Sequence, residues 1–278
     1  MSFRRRIAKF PQEISRALGL LSSHEHRQLL NMYERTQWFE PTDLEKRSFR
    51  SFSQSNEDGL IAAILNDLGK TGPGTFFEMG IGDGTENNTL LLAMSGWRGV
   101  WCGGEALSLE LPANGPVHFE EYWIDLTNII ELKNRAVLKL GSEIDVFSLD
   151  LDGNDYHFAE LLLNDGFRPT VWIHEYNGVF GPICEWIMPA DDTHQWARNN
   201  NFGASYMSFV KLFAKYGYKP VVCSYNGANV FFVHTDAGMH FPEDPIALWR
   251  PPLYFEFRHA HPVTPKLFAG IPSGSADN

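Results

Sequence analysis

The sequence predicts an α/β chain: a doubly wound, mostly parallel sheet with an antiparallel edge strand, preceded by a helical N-terminal extension. Three observations carry this. Short apolar runs of strand length alternate with longer amphipathic stretches from about residue 57 to residue 217, the pattern of a parallel sheet covered on both faces. The first apolar run, "TFFEMGI", leads into a glycine-rich turn, "GIGDGT". The last helical stretch is followed by two strand-like runs joined around Asn226-Gly227, a hairpin signal that reverses one strand against the others.

Taken in order, residues 1–50 read as helical, with apolar positions recurring at Ile14, Leu18, Leu21, Leu29, Leu30 and Met32. Pro41 and the polar run "PTDLEKRSFRSFSQS" mark the junction with a domain over 51–236. There, "EDGLIAAILNDLG" is a helix with acids in its first turn and Gly69 at its end. A strand at 75–81 and a helix at 86–96, closed by Gly96, come next. Strands at 98–104 and 117–126, a helix at 128–140 and a strand at 144–152 continue the alternation. A helix at 155–166, a strand at 170–177 and a helix at 204–217 precede the hairpin at 218–235. Residues 237–278 form a C-terminal extension whose end, "AGIPSGSADN", reads as disordered.

Composition narrows the function. With 44% hydrophobic and 14% aromatic residues over 278 positions, the chain can build a substantial core. A net charge of −11 and a pI near 5.3 oppose nucleic-acid binding. The charge is uneven: residues 1–50 hold ten Lys/Arg against six Asp/Glu, so the rest carries about −15. That basic stretch suits a homodimer contact or a solvated amphipathic helix. Cys102, Cys184 and Cys223 include no CxxC pair, which opposes a disulfide framework or zinc site and fits a cytoplasmic location. No apolar run reaches the roughly 18 residues needed to span a bilayer, so no transmembrane segment is expected. The opening "MSFRRRIAKFPQEISRALGLL" makes a poor signal peptide.

The turn after the first strand reads GxGxG (Gly80, Gly82, Gly84), one residue tighter than a dinucleotide fingerprint, and Glu78 and Asp83 flank it. Carboxylates there repel a pyrophosphate. They suit a positively charged cofactor without phosphate, which is S-adenosylmethionine. Glu105, past the second strand, can hold ribose hydroxyls, and Asp125, past the third, stands where such folds meet the adenine amine. Asn88, entering the first helix of the alternation, joins this set.

"FSLDLDGNDYH" puts Asp150 and Asp152 on one side of a strand end, and "WIHEYN" puts Glu175 and Asn177 on one side of the next, with His174 and Tyr176 on the other. Oxygen ligands of this kind suit Mg²⁺ or another divalent cation, and Asp152, Glu175 and Asn177 are the expected metal set. The alternative is that these acids cap the following helix, with Asn154 as N-cap. His157, His174 and Asp150 are the candidate catalytic groups, either histidine being able to take a proton from an acceptor hydroxyl. His194, in "DDTHQW", is a further candidate on a mobile loop.

Through "SQSNEDGLIAAIL", "FFEMGIGDGTENNTLLL", "GVWCGGE", "VFSLDLDGNDYH", "HEYN" and "NFGASYMSFVKLFAKYGY", residues 50–235 resemble the FkbM-like group of S-adenosylmethionine-dependent methyltransferases. More loosely they resemble the metal-dependent macrocin O-methyltransferases. The resemblance implies a class I methyltransferase (Rossmann-like) fold with cofactor contacts at Glu78, Gly80, Gly82 and Glu105, and with Gln54 and Glu57 closing over the cofactor. It also implies a divalent metal on acids ending the fourth and fifth strands, which match Asp152 and Glu175. The chain departs from that pattern at Tyr176, where a second adjacent acid is expected, and at Gly103, where relatives often carry an acid.

The expected activity is therefore methyl transfer from S-adenosylmethionine to a hydroxyl of a sugar, glycan or glycosylated small molecule, assisted by a divalent metal. The alternatives are a metal-independent, N-directed methyltransferase and a non-catalytic cofactor-binding scaffold. A nicotinamide dehydrogenase is opposed by the glycine spacing.

Overall fold

A computed structural model describes residues 40–197 and 199–253. The helices read before residue 40 and the disordered tail read at the C-terminus lie outside the described residues. All elements below belong to the unit that begins at Asp43. In chain order they are α1 (Asp43–Arg47), α2 (Glu57–Asp67), β1 (Thr75–Met79), α3 (Leu90–Met94), β2 (Arg98–Gly103), β3 (Val117–Glu121) and α4 (Ile129–Leu140). There follow β4 (Val146–Leu149), α5 (Asp155–Asn164), β5 (Val171–Glu175), α6 (Tyr206–Ala214), β6 (Tyr218–Cys223) and β7 (Asn229–His234).

The seven strands form one sheet in the order β3-β2-β1-β4-β5-β7-β6. All neighbours pair in parallel except β7, which is antiparallel to both β5 and β6. The hairpin read at Asn226-Gly227 thus reverses the strand one place in from the edge, and Gly227 takes the positive φ (69°) that its turn requires. This α/β architecture is consistent with a Rossmann-like fold. No described helix is long and apolar enough to cross a membrane.

Alternate side chains of each strand enter two cores. Phe77, Met79, Phe147, Trp172 and Phe232 pack under α4, α5 and α6, whereas Phe76, Trp101, Val146, Ile173 and Phe231 pack under α2 and α3. Burial on both faces is why the strands read as nearly continuous apolar runs. In the first core the rings around Trp172 meet edge to face, Phe147 at 4.8 Å and 90° and Phe213 at 4.9 Å and 82°, while Phe213 stacks on Phe232 at 4.1 Å.

Most elements are shorter than the sequence predicts, and in two of them a specific turn is the cause. The helix expected at 86–96 is regular only over Leu90–Met94, because Asn87, Asn88 and Thr89 turn their donors onto Glu78. The strand expected at 117–126 stops at Glu121, because Asp125 builds a turn with Thr127 and Asn128 that opens α4.

Candidate functional site

Period-2 alternation decides what the carboxyl edge of the sheet presents. On the face covered by α2 and α3, β1 runs out through Glu78 to Gly80, β4 through Ser148 to Asp150, and β5 ends at Glu175. The chain leaves β1 towards β2 and leaves β4 towards β5, so the strand order reverses between β1 and β4. Open α/β sheets hold ligands at such a switch point.

Carboxylate oxygens of Asp150, Asp152 and Glu175 lie within 4.8 Å of one another. Burial, then the charges of Asp152, Asp155 and Glu78, holds the Asp150 carboxyl well above the usual range. Burial, then Asp150, Asp152 and Asp155, does the same to Glu175. Asp152 is open to solvent on one side, yet the protein packed on its other side raises its pKa, an effect that His194 opposes. Asp152 alone among the described non-glycine residues has a positive φ, 55°. Such strain is characteristic of functional sites, and Asp155 maintains it here. Its buried carboxylate accepts the N–H of Leu151 at 2.8 Å and of Gly153 at 2.7 Å, clamping the chain on both sides of Asp152. Burial pushes the Asp155 carboxyl up to about 6.

Acids this close repel unless protons or a cation intervene. Glu175 Oε2 is buried without a hydrogen-bond partner, as are His194 Nε2, Asn177 Oδ1 and Asn229 Oδ1. Buried polar atoms are rarely left unpaired, and four on residues of this edge are what an absent ligand would satisfy. Three carboxylates with an orphaned oxygen fit a divalent cation.

The residues expected to bind the cofactor divide into those with free surface and those already engaged. Glu78 is fully engaged: it accepts Asn88 N–H (2.9 Å), Asn87 Nδ2 (2.9 Å), Thr89 N–H (3.0 Å) and Thr89 Oγ1 (2.5 Å). It holds the start of α3 rather than facing the glycine turn. Asp83 is drawn into its own loop by Thr85 and Ser108; burial works against it, but these hydrogen bonds keep its carboxyl low. Asn88 donates its side chain to Ser148. Glu57 is buried and accepts Ser55 N–H and Asn229 Nδ2. Asp125 holds the turn ahead of α4 through Thr127 and Asn128, and Thr127 above all keeps its carboxyl low. Gln54 and Glu105 are exposed. A Cβ on Gly84 would meet Leu107 at 2.7 Å, whereas nothing stands within 4 Å of one on Gly82. One cavity of about 300 Å³ lies between α2 and α3, with Ile61, Leu65, Leu92 and Trp97 among its walls. Neither the glycine turn nor the acid trio borders it.

Two expected roles need correction. His174 cannot take an acceptor's proton here: alternation sends it to the face opposite the acids, where it is fully buried 4.2 Å from the Phe209 ring. Burial pushes its pKa down to about 3. His157 is engaged through Nε2 with the carbonyl of Met188 at 2.8 Å and so tethers a loop. Asp150 joins Asp152 and Glu175 in the acid trio; Asn177 Nδ2 donates to the carbonyls of Asn200 and Phe202 at 2.9 and 3.1 Å, which leaves its Oδ1 without a hydrogen-bond partner.

Those tethers belong to a feature the sequence did not disclose. Residues 178–197 and 199–205, between β5 and α6, form an arch tied to the strand ends by hydrogen bonds. Asn154 grips the arch from both sides: its Nδ2 donates to Asp191 O and its Oδ1 accepts Asp191 N–H, each at 2.9 Å. Gly203 N–H donates to Gly153 O at 2.8 Å, and Asn177 N–H to Ala204 O at 2.8 Å. Asn154 therefore starts α5 by position but spends its side chain on the arch. The motif "DGND" was legible; its partner thirty-seven residues on was not, because nothing local in "PADDTHQW" marks it.

No protein-family model matches the chain, and no curated protein matches it.

Proposed function

We propose that this protein transfers a methyl group from S-adenosylmethionine to a hydroxyl of a sugar, glycan or glycosylated small molecule, at a site that takes a divalent cation. The observation that carries this reading is the acid trio beside the glycine turn, at the reversal point of a sheet whose β7 runs antiparallel between β5 and β6. The methyltransferase-like motifs of the sequence support it.

Each residue has a definable task in such a reaction. Gly82 is the glycine against which a ligand can lie, and exposed Glu105 can hold ribose hydroxyls. Trp123, 62% exposed and packed against Gly104, offers a ring face at the same rim. S-adenosylmethionine supplies an electrophilic methyl group, and a divalent cation supplies positive charge that lowers the pKa of a neighbouring hydroxyl. Asp150, Asp152 and Glu175 would hold that charge beside the acceptor hydroxyl, and methyl transfer would break the carbon–sulfur bond as the carbon–oxygen bond formed. Asp152, the trio's solvent-facing member, receives the hydroxyl proton and passes it to water.

Calorimetric titration with S-adenosylhomocysteine, with and without Mg²⁺, tests the reading. Micromolar binding supports it, and the absence of binding in both conditions overturns it. Turnover that survives EDTA would replace it with the metal-independent alternative.

A further inference from the structure

We propose that Asn229 gives the cation site a fourth oxygen, its side-chain carbonyl, which Glu57 turns towards Glu175. This rests on the reading that Asp150, Asp152 and Glu175 take a cation.

Strand pairing brings the two residues together. β7 runs antiparallel to β5 with Asn229 directly opposite Glu175. The backbone of Asn229 turns the other way, to Ser224: its N–H donates to Ser224 Oγ at 2.9 Å and its carbonyl accepts Ser224 N–H at 2.8 Å. Glu175 and Asn229 are therefore a non-hydrogen-bonded pair, the kind whose side chains stand closest, with Cβ atoms about 5 Å apart. Ile173 and Phe231, the next pair along the same face, lie in the core under α2 and α3, so both side chains emerge on that face.

The orientation of Asn229 is fixed by a third residue. Glu57 is buried at the start of α2, where its Oε1 accepts Asn229 Nδ2 at 3.3 Å and its Oε2 accepts Ser55 N–H at 2.7 Å. With both oxygens accepting, Glu57 leaves the amide one orientation: nitrogen towards Glu57, oxygen away from it. Asn229 is 4% exposed, and its Oδ1 has no hydrogen-bond partner. Neither has Glu175 Oε2, on the residue across the strand pair. Two such acceptors cannot satisfy each other while Glu175 is ionised, whereas one cation satisfies both. An amide oxygen is an ordinary ligand of hard cations, and this one adds no charge to the three carboxylates. It takes a place in the ion's shell that water would otherwise fill.

The test is cation binding, read without turnover. Mn²⁺ is titrated into the wild type, Asn229→Leu, Asn229→Asp and Asp152→Asn by calorimetry, and water-proton relaxation counts the waters on the bound ion. Asn229→Leu is expected to weaken Mn²⁺ about tenfold or more and to add about one water to its shell. Asn229→Asp, which keeps an oxygen in place, should bind Mn²⁺ at least as tightly with the wild-type water count. Unchanged affinity and water count in Asn229→Leu, with binding lost in Asp152→Asn, would overturn the role of Asn229 and leave the acid site standing. An extra water in Asn229→Asp would do the same, and it decides the matter even if Asn229→Leu does not fold. Failure of the wild type to take up Mn²⁺ would overturn the acid-site reading and this inference with it.

Discussion

The carbonyl oxygen of Asp150 stands 1.5 Å from where a Cβ on Gly80 would be. β1 and β4 therefore close at their carboxyl ends only because residue 80 has no side chain, and its φ of 89° adds a second reason for glycine. Gly82, two residues on, has a positive φ (55°) but nothing near it. The turn's glycines thus do different work, which a pair of variants separates. Gly80→Ala is expected to cost at least about 3 kcal/mol or to prevent folding. Gly82→Ala should cost roughly 1–2 kcal/mol, leave the fold intact, and weaken S-adenosylhomocysteine. Urea denaturation and calorimetry read the two effects; equal stability of both variants would contradict this assignment.

The acid trio makes cation stabilisation dependent on pH. Asp150, Glu175 and Asp155 have folded pKa values raised above their unfolded ones, by burial first; Asp152 then adds most for Asp150 and Asp150 for Glu175, while the Gly153 and Leu151 N–H groups oppose the rise at Asp155. The contribution of the three acids is complete below about pH 4 and is lost as pH rises through the folded values, about 6 for Asp155 and well above the usual carboxylate range for the other two. His174, neutral in the core, acts in the opposite sense as pH falls. Comparing the protein with and without Mg²⁺ at each pH cancels that term. Because cation and protons compete, Mg²⁺ should raise the melting temperature little at pH 5 and strongly at pH 8. At a hundredfold excess over Kd the gain is about 2.7 kcal/mol, or roughly 5–10 °C. Asp150→Asn should abolish the difference, and a Mg²⁺ effect independent of pH would refute the coupling.

What the sequence disclosed, and what it withheld, follows from the range of each interaction. Strand and helix alternation, the hairpin at Asn226-Gly227 and the common side of Asp150 and Asp152 are local periodicities, so they could be read directly. The grouping of Asp150 with Glu175 needed only that β4 and β5 be neighbours. The engagement of Glu78 was not legible, because it depends on how residues 87–89 turn, which the helix-like apolar pattern "LLLAM" concealed. The hold of Asn154 on Asp191 was invisible for a different reason: no periodicity connects a helix start to an irregular segment crossing above it.

Glu45 and Arg250 form a clasp of this long-range kind. Arg250 Nε and Nη2 donate to the two carboxylate oxygens at 2.7 and 2.6 Å, and both side chains are only 6% exposed. The Arg250 carbonyl also accepts the hydroxyl of Tyr176, tying the clasp to the chain just beyond β5. Removing one charge leaves the other buried without it. Glu45→Gln is therefore expected to cost about 3–5 kcal/mol in urea denaturation, and a double change of Glu45 and Arg250 to methionine should cost less than the single one. Additive costs would show that the two charges do not act as a pair.

The reciprocal bond between Asn154 and Asp191 governs the arch rather than the fold. Asn154→Ala removes both 2.9 Å hydrogen bonds while leaving the clamp of Asp155 on Leu151 and Gly153 in place. The lost bonds are worth about 1–3 kcal/mol, and the loss should fall on the arch, since α5 keeps its buried apolar face. Amide exchange at residues 189–194 is expected to quicken roughly tenfold or more, with exchange in β1, β4 and β5 unchanged. S-adenosylhomocysteine, placed at the glycine turn, should bind as before. A variant that loosened the whole sheet equally would show that the arch and the sheet open as one unit, and that Asn154 is a core contact instead of an anchor.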